Sequence, residues 1–361
     1  MKNMSKILMI VLLTFIFAGC SCKNEKCNCP TEPIDTNEEK YTTISSGYRE
    51  KYQQTVRSVV MIRVQKISNG EVKTTGSGVV YFEEGVSAYI LTNAHVIRDA
   101  HLSNEYEVEV IFSDNEGFPS GDSEIAAIEG ADYKEDVAVL EIKKSSKYAI
   151  ANIGDSSKVQ KGDFVYTIGS PEQKFNHTTF GTISNYNVKV ETDSSGIGII
   201  TPVYAIISDA VIHGGNSGGA LFNIEGQLIG ITTLKYTNID GMYGSLPINY
   251  FIKVAKNILG TGNSYIRPTL NIKTLSINNM GTLREIYEIG NNVTKGVYVQ
   301  NSFVESIAPQ SVITAVNGVI VNYEEEFQVE ILKYSVGDTV TLTLINKDGL
   351  NNRQVNVTLG Q

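Results

Sequence analysis

Gly214-Gly215-Asn216-Ser217-Gly218-Gly219 is the stretch from which the fold can be read. A serine hydroxyl is a weak nucleophile. It needs a neighbouring base, and it needs donors for the oxyanion that forms when it attacks a carbonyl. Glycines on both sides let the backbone turn its N–H groups inward and let a substrate approach closely. Taken alone, the stretch reads equally well as a glycine-rich turn. It also fits the nucleophile-elbow pattern G-x-S-x-G, whose fold requires the chain order Ser, Asp, His. The four histidines, His95, His101, His177 and His213, all precede Ser217. The α/β-hydrolase reading therefore fails.

The order that remains is His, Asp, Ser, as in chymotrypsin-like enzymes. Leu91-Thr92-Asn93-Ala94-His95 sets a histidine at the end of an apolar strand, and Glu135-Asp136-Val137-Ala138-Val139-Leu140 sets an aspartate at the start of another. Around them lie short β-branched runs parted by turn residues. These include Val59–Val64, Gly78–Phe82, Ala88–Thr92, Val108–Phe112, Val137–Ile142 and Phe164–Ile168. That spacing predicts an all-β barrel or sandwich. Helical periodicity is weak until Tyr250–Ile258, a closing helix expected to end near Gly260. His101 and His177 fit no motif and read as surface residues. His213, four residues before Ser217, reads as loop packing or as part of the loop that binds the oxyanion.

These segments, in this order, resemble the HtrA/Deg family of trypsin-like serine proteases. The resemblance extends to Thr75-Gly76-Ser77-Gly78-Val79-Val80, Ile153-Gly154-Asp155-Ser156, Gly162-Asp163-Phe164, Ile168-Gly169-Ser170-Pro171, Gly181-Thr182-Ile183-Ser184 and Ser208-Asp209-Ala210. It implies a chymotrypsin-like double β-barrel with His95 as general base, Asp136 as its orienting carboxylate and Ser217 as nucleophile. The N–H groups of Gly215 and Ser217 would form the oxyanion hole, and no metal or other cofactor is implied. In this fold the residue six before the nucleophile lies at the base of the pocket for the residue preceding the cut. Here that is Val211, followed by Ile212, and neither can neutralise a basic side chain. With Ile231, Thr232 and Thr233 on the other wall, the expected preference is for small or medium aliphatic residues. Such a pocket discriminates weakly, by roughly 1–3 kcal/mol per methylene.

After about Thr261 the composition shifts toward Asn, Thr and Ile. Ala315-Val316-Asn317-Gly318-Val319-Ile320, a helix-like Tyr323–Lys333 and Gly337–Leu344 resemble a PDZ domain. In HtrA-like proteins that domain binds extended peptides by strand addition. The matching loop here is Thr269-Leu270-Asn271-Ile272, with Leu270 and Ile272 as candidate peptide contacts. Asn271 stands where glycine is usual, and Ser302–Pro309 is shorter than the usual helix-and-turn insert. A purely structural PDZ-like cap therefore stays open beside peptide capture.

The N-terminus addresses the compartment. Two lysines within Met1–Lys6 precede the apolar run Ile7–Ala18, which fits a secretory signal and is too short to span a membrane. Phe17-Ala18-Gly19-Cys20 resembles a bacterial lipobox, which implies that Cys20 carries the lipid and anchors the chain at the outer face of the cytoplasmic membrane. All four cysteines, Cys20, Cys22, Cys27 and Cys29, fall in this region. The later chain uses neither disulfide nor thiolate chemistry. Ser21 to about Ser46 reads as a polar tether.

The 361 residues exceed one ordinary domain. The expected organisation is a lipoprotein-type signal over 1–19, a tether over 20–47, the protease over 48–262 and a PDZ-like α+β unit over 263–361. With 30 basic and 39 acidic side chains the net charge is −9, which disfavours nucleic acid as a partner. The family resemblance points instead to unfolded or exposed polypeptide substrates, and to a homotrimer by analogy. Two rivals remain: a lipid-anchored peptide-binding chaperone with an idle triad, and a site-specific regulatory protease.

Overall fold

The computed structural model describes residues 47, 49–192, 201–235, 241–262 and 264–361, and residues Tyr48–Gln361 form one compact unit. Six strands form a closed barrel in the order β1-β2-β3-β6-β5-β4. They are β1 (Val59–Lys66), β2 (Val72–Glu84), β3 (Ser87–Thr92), β4 (Tyr106–Ser113), β5 (Pro119–Asp132) and β6 (Val137–Lys143). A second barrel closes in the order β10-β11-β12-β9-β8-β7. Its strands are β7 (Phe164–Gly169), β8 (His177–Thr192), β9 (Thr201–Ser208), β10 (Ala220–Asn223), β11 (Leu228–Lys235) and β12 (Tyr243–Pro247). This is the chymotrypsin-like double barrel that the resemblance implies.

The apolar runs lack a polar face because both of their faces are covered. Along β1, Val60, Ile62 and Val64 point into the first barrel, while Val59 joins a second cluster between the barrels. Along β6, Ala138, Leu140 and Ile142 point inward, and Val137 and Val139 point into that shared cluster. Side chains alternate across a strand, so one run supplies two cores. The shared cluster adds Ile168, Ala220, Phe222 and Ile231 from the second barrel. Helix α1 (Ile248–Thr261) closes it with Ile248, Phe251, Val254, Ala255 and Ile258. Each such valine, isoleucine or phenylalanine side chain, fully buried, contributes about 1.5–3 kcal/mol.

Two expectations need correction in detail. Helix α1 passes Gly260 and stops only at Gly262, whose φ of 65° makes the left-handed cap. Strand β5 was not among the expected runs, because eight of its fourteen residues are exposed and its first half is mostly polar.

The C-terminal region forms a third sheet in the order β13-β14-β15-β17-β18, with β16 paired to β15. The strands are β13 (Ile272–Ser276), β14 (Val297–Ser302), β15 (Ser311–Val316), β16 (Val319–Ile320), β17 (Thr339–Asn346) and β18 (Arg353–Thr358). Helix α2 (Glu324–Leu332) packs Phe327 and Ile331 onto the sheet's core. The arrangement is consistent with a PDZ-like unit. Lys253 of α1 reaches it, donating to the carbonyls of Leu332 (2.8 Å) and Tyr334 at the end of α2. A cation suits that end of a helix.

Candidate active site

The register of the first barrel brings His95 and Asp136 together. Strands β3 and β6 run antiparallel with Thr92 opposite Ala138. The residues just after Thr92 therefore meet those just before Ala138. His95 Nδ1 lies 3.0 Å from Asp136 Oδ1 and 2.9 Å from Oδ2, and the His95 amide donates to Oδ1 at 3.1 Å. Asp136 is 1% exposed and is held with φ at 55°, in the left-handed region that aspartate tolerates better than most residues. Asn93 Nδ2 holds its carbonyl at 2.9 Å and also donates to Thr233 Oγ1 at 3.0 Å, so the second barrel touches this corner.

Burial alone would lower the His95 pKa. The adjacent Asp136 charge and its hydrogen bond outweigh that and raise it above the ordinary histidine value. The Nδ1 facing the carboxylate is therefore the protonated nitrogen, and Nε2 is left as the basic one.

Ser217 lies in the loop between β9 and β10 and is half-buried. The loop is fixed by its own backbone. The Asn216 amide donates to the His213 carbonyl at 3.0 Å, the Gly218 amide to Thr232 at 2.9 Å, and the Gly219 amide to Asn216 at 2.8 Å. Among the described residues, the amides of Gly215 and Ser217 have no such partner. The Gly214 carbonyl accepts from the Glu172 amide at 3.1 Å. In a trans peptide the following N–H points the opposite way, so the Gly215 N–H faces away from Glu172. Its φ of 97° is open to glycine and strained for other residues.

Strand β2 is tied to this loop through Ser77. The Ser77 amide donates to the Ser217 carbonyl at 2.8 Å, and its hydroxyl donates to the Gly215 carbonyl at 2.8 Å. No hydrogen bond joins Ser217 to His95 among the described residues; such contacts are often long before substrate binds. The structure thus joins His95 to Asp136 directly and sets the Ser217 loop against the same barrel.

The other expected site residues fall as follows. Val211 is half-buried and its carbonyl accepts from Thr179 Oγ1 at 2.8 Å, while Ile212 is buried. Ile231 and Thr232 have no exposed surface: Ile231 belongs to the shared core, and the Thr232 hydroxyl is bonded to the Asn216 carbonyl. Only Thr233 of that wall is partly exposed. Leu270 and Ile272 are partly buried against the core of the third sheet. His101 bonds the Tyr133 hydroxyl at the surface, and His177 and His213 are exposed. Cys20, Cys22, Cys27 and Cys29 lie outside the described residues. A cavity of about 570 Å³ lies elsewhere, between the second barrel, α1 and the third sheet's α2. Sequence reasoning missed the roles of Ser77, Asn93 and Glu135. Ser77 was quoted within a motif, but nothing in its spacing signals a bond to a loop 138 residues away.

Residues 76–231 match the trypsin-like peptidase domain family. The chain is 31% identical to the serine protease Do-like HtrA of Lactococcus lactis subsp. cremoris, covering 76% of this chain and 68% of that protein. It is 32% identical to the serine protease Do-like HtrB of Bacillus subtilis, covering 75% of this chain and 59% of that one. Among solved structures it is similar to the HtrA-type protease AlgW with a tripeptide. The TM-score is 0.62 at 24% identity, over 87% of this chain and 96% of that one. Barrel architecture and sequence kinship agree, and the chain belongs to the HtrA/Deg family of trypsin-like serine proteases.

Proposed function

We propose that this serine endopeptidase works through His95, Asp136 and Ser217 at the bacterial cell envelope, on unfolded or exposed stretches of polypeptide. The single observation that carries the reading is the pairing of His95 Nδ1 with both oxygens of buried Asp136, at 3.0 and 2.9 Å. It leaves Nε2 free to take the Ser217 proton as the hydroxyl attacks the scissile carbonyl. The charge that develops on the carbonyl oxygen is met by the amides of Gly215 and Ser217, neither of which has a backbone partner among the described residues. One such donor is worth about 2.7–4 kcal/mol in the transition state. His95 then gives its proton to the leaving amine, and water resolves the acyl-enzyme by the same steps in reverse.

Val211 and Ile212 supply an uncharged lining, which supports cleavage after small or medium aliphatic residues. On the other wall only Thr233 has exposed surface to offer, since the Ile231 and Thr232 side chains are enclosed. The third sheet presents β13 as an edge strand beside α2, which supports strand addition of a peptide near Leu270 and Ile272. Division into a protease over 48–262 and a PDZ-like unit over 263–361, a lipid on Cys20, and a trimer complete the reading. No helix of the described residues is long and apolar enough to cross a membrane.

The test is a fluorophosphonate probe with an unfolded protein as substrate. Wild type should be labelled on Ser217 and should degrade the substrate. Ser217→Ala should do neither while keeping its melting temperature. Proteolysis at the wild-type rate by Ser217→Ala would overturn the assignment.

A further inference from the structure

Glu135, the residue before Asp136, is 1% exposed, and its carboxylate turns away from His95. Arg267 grips it with a fork: Nε donates to Oε1 at 2.6 Å and Nη2 to Oε2 at 2.6 Å. The Tyr250 hydroxyl of α1 donates to Oε2 at 2.7 Å. The remaining Arg267 nitrogen, Nη1, donates to the Pro202 carbonyl of β9 at 2.6 Å. Two residues earlier in the same segment, the Tyr265 amide donates to Asp132 Oδ2 at 2.6 Å. Asp132 in turn holds the turn from inside, accepting the amides of Lys134 (2.9 Å) and Glu135 (3.0 Å) through Oδ1. The turn Asp132–Asp136 is thus held at both ends by chain that leads directly into the third sheet.

We propose that the Glu135–Arg267 pair positions Asp136, bracing the turn that carries this carboxylate against the lead-in to the third sheet. The proposal rests on the reading of Asp136 as the carboxylate behind His95. Asp136 sits in the left-handed region, where backbone persists only when its surroundings over-determine it. Asn93 fixes the carbonyl side of the residue, and the Glu135 side chain fixes the peptide before it. A buried ion pair is a weak source of stability, because desolvation offsets the attraction. A bidentate guanidinium–carboxylate pair is directional, however, and lysine cannot reproduce its fork. Geometry is therefore what this pair supplies. The guanidinium reaches β9 and Tyr250 of α1 shares the Glu135 carboxylate, so the second barrel, the closing helix and the lead-in to the third sheet all bear on the turn that carries Asp136.

The experiment uses the full chain, with Glu135→Gln, Arg267→Lys and the doubly neutral Glu135→Gln/Arg267→Met. Three quantities are read: kcat and KM on a short peptide, the melting temperature, and the low-field proton resonance of His95 Nδ1–H. In each variant kcat should fall on the order of 10²-fold, the cost of a small misplacement, with KM nearly unchanged and the resonance displaced or broadened. The double variant leaves no orphaned charge, so it should fold even where a single variant does not. Wild-type kcat and resonance in a folded variant would overturn the brace, as would a loss of kcat with the resonance untouched. Failure of the probe to label Ser217 in wild type would overturn the triad instead. The resonance comparison would then still decide whether Glu135 and Arg267 hold Asp136.

Discussion

Ser77 binds the chain around Ser217 from across the barrel boundary, by its amide to the Ser217 carbonyl and by its hydroxyl to the Gly215 carbonyl, each at 2.8 Å. The hydroxyl also accepts from the Ser170 amide at 2.9 Å, and Ser77 has no exposed surface. Its carbonyl is held by Thr92 Oγ1 at 2.7 Å. One residue of the first barrel thus fixes the two carbonyls that flank Asn216.

Ser77→Ala should therefore cost both stability and rate. It leaves the Ser170 amide and Gly215 carbonyl buried without that partner, a penalty of about 1–3 kcal/mol. Chemical denaturation should show that loss. The rate of fluorophosphonate labelling should fall with it, because Gly215 is released. Unchanged labelling would separate Ser77 from the orientation of the loop.

The raised His95 pKa sets the acid limb of activity. Only the neutral imidazole acts as a base, so kcat/KM should fall as pH drops, with a midpoint above the ordinary value of about 6.5. Asp136→Asn should move that midpoint down and reduce kcat on the order of 10⁴-fold. The stability linkage has the opposite sense. A histidine with a raised folded pKa contributes stability fully below its unfolded pKa, and the contribution is lost as pH rises through the folded one. Melting curves of wild type and Asp136→Asn should therefore differ more at pH 5 than at pH 9.

Gly218→Ala should inactivate the enzyme. Gly218 has a φ of 83°, and an added Cβ would collide with the Ser77 carbonyl and the Thr92 hydroxyl. Neither neighbour is a flexible tip, since both are buried and bonded to each other. The loop next to Ser217 would have to move. Loss of proteolysis with a lowered melting temperature is the expected result, and a fully active variant would contradict it.

Cys20→Ser should release the protein from membranes without altering its rate on a soluble peptide. Labelling with a radioactive fatty acid and fractionation after a high-salt wash read the outcome. Label retained on the variant, or a variant still held in the membrane fraction, would point to an uncleaved signal anchor.

The barrels were legible because their strands are buried on both faces and read as unbroken β-branched runs, as Val137–Ile142 does. Strand β5 was not, since Pro119–Glu124 is polar and mostly exposed; it is a strand because β4 and β6 pair with it. For His95, Asp136 and Ser217, chain order sets aside the α/β-hydrolase arrangement, and the proposed roles come from the resemblance that their segments carry. Ser77 and the Glu135–Arg267 pair were not. Each is defined by a partner more than a hundred residues away, and no local periodicity marks such a pairing. The stop of α1 reads as Gly260 in the sequence, and it is Gly262 that takes the left-handed conformation of the cap.

The division of the site between two barrels also has a consequence in time. A chain made from its N-terminus completes β1 to β6, the strands that carry His95 and Asp136, well before the Ser217 loop has its supports. The Gly218 amide needs the carbonyl of Thr232 on β11, and β11 is in turn paired with β12. Until the chain has been delivered through Pro247, the serine has no shaped loop to sit in. The nucleophile loop of a chain assembled in this order takes its shape only when the second barrel shuts.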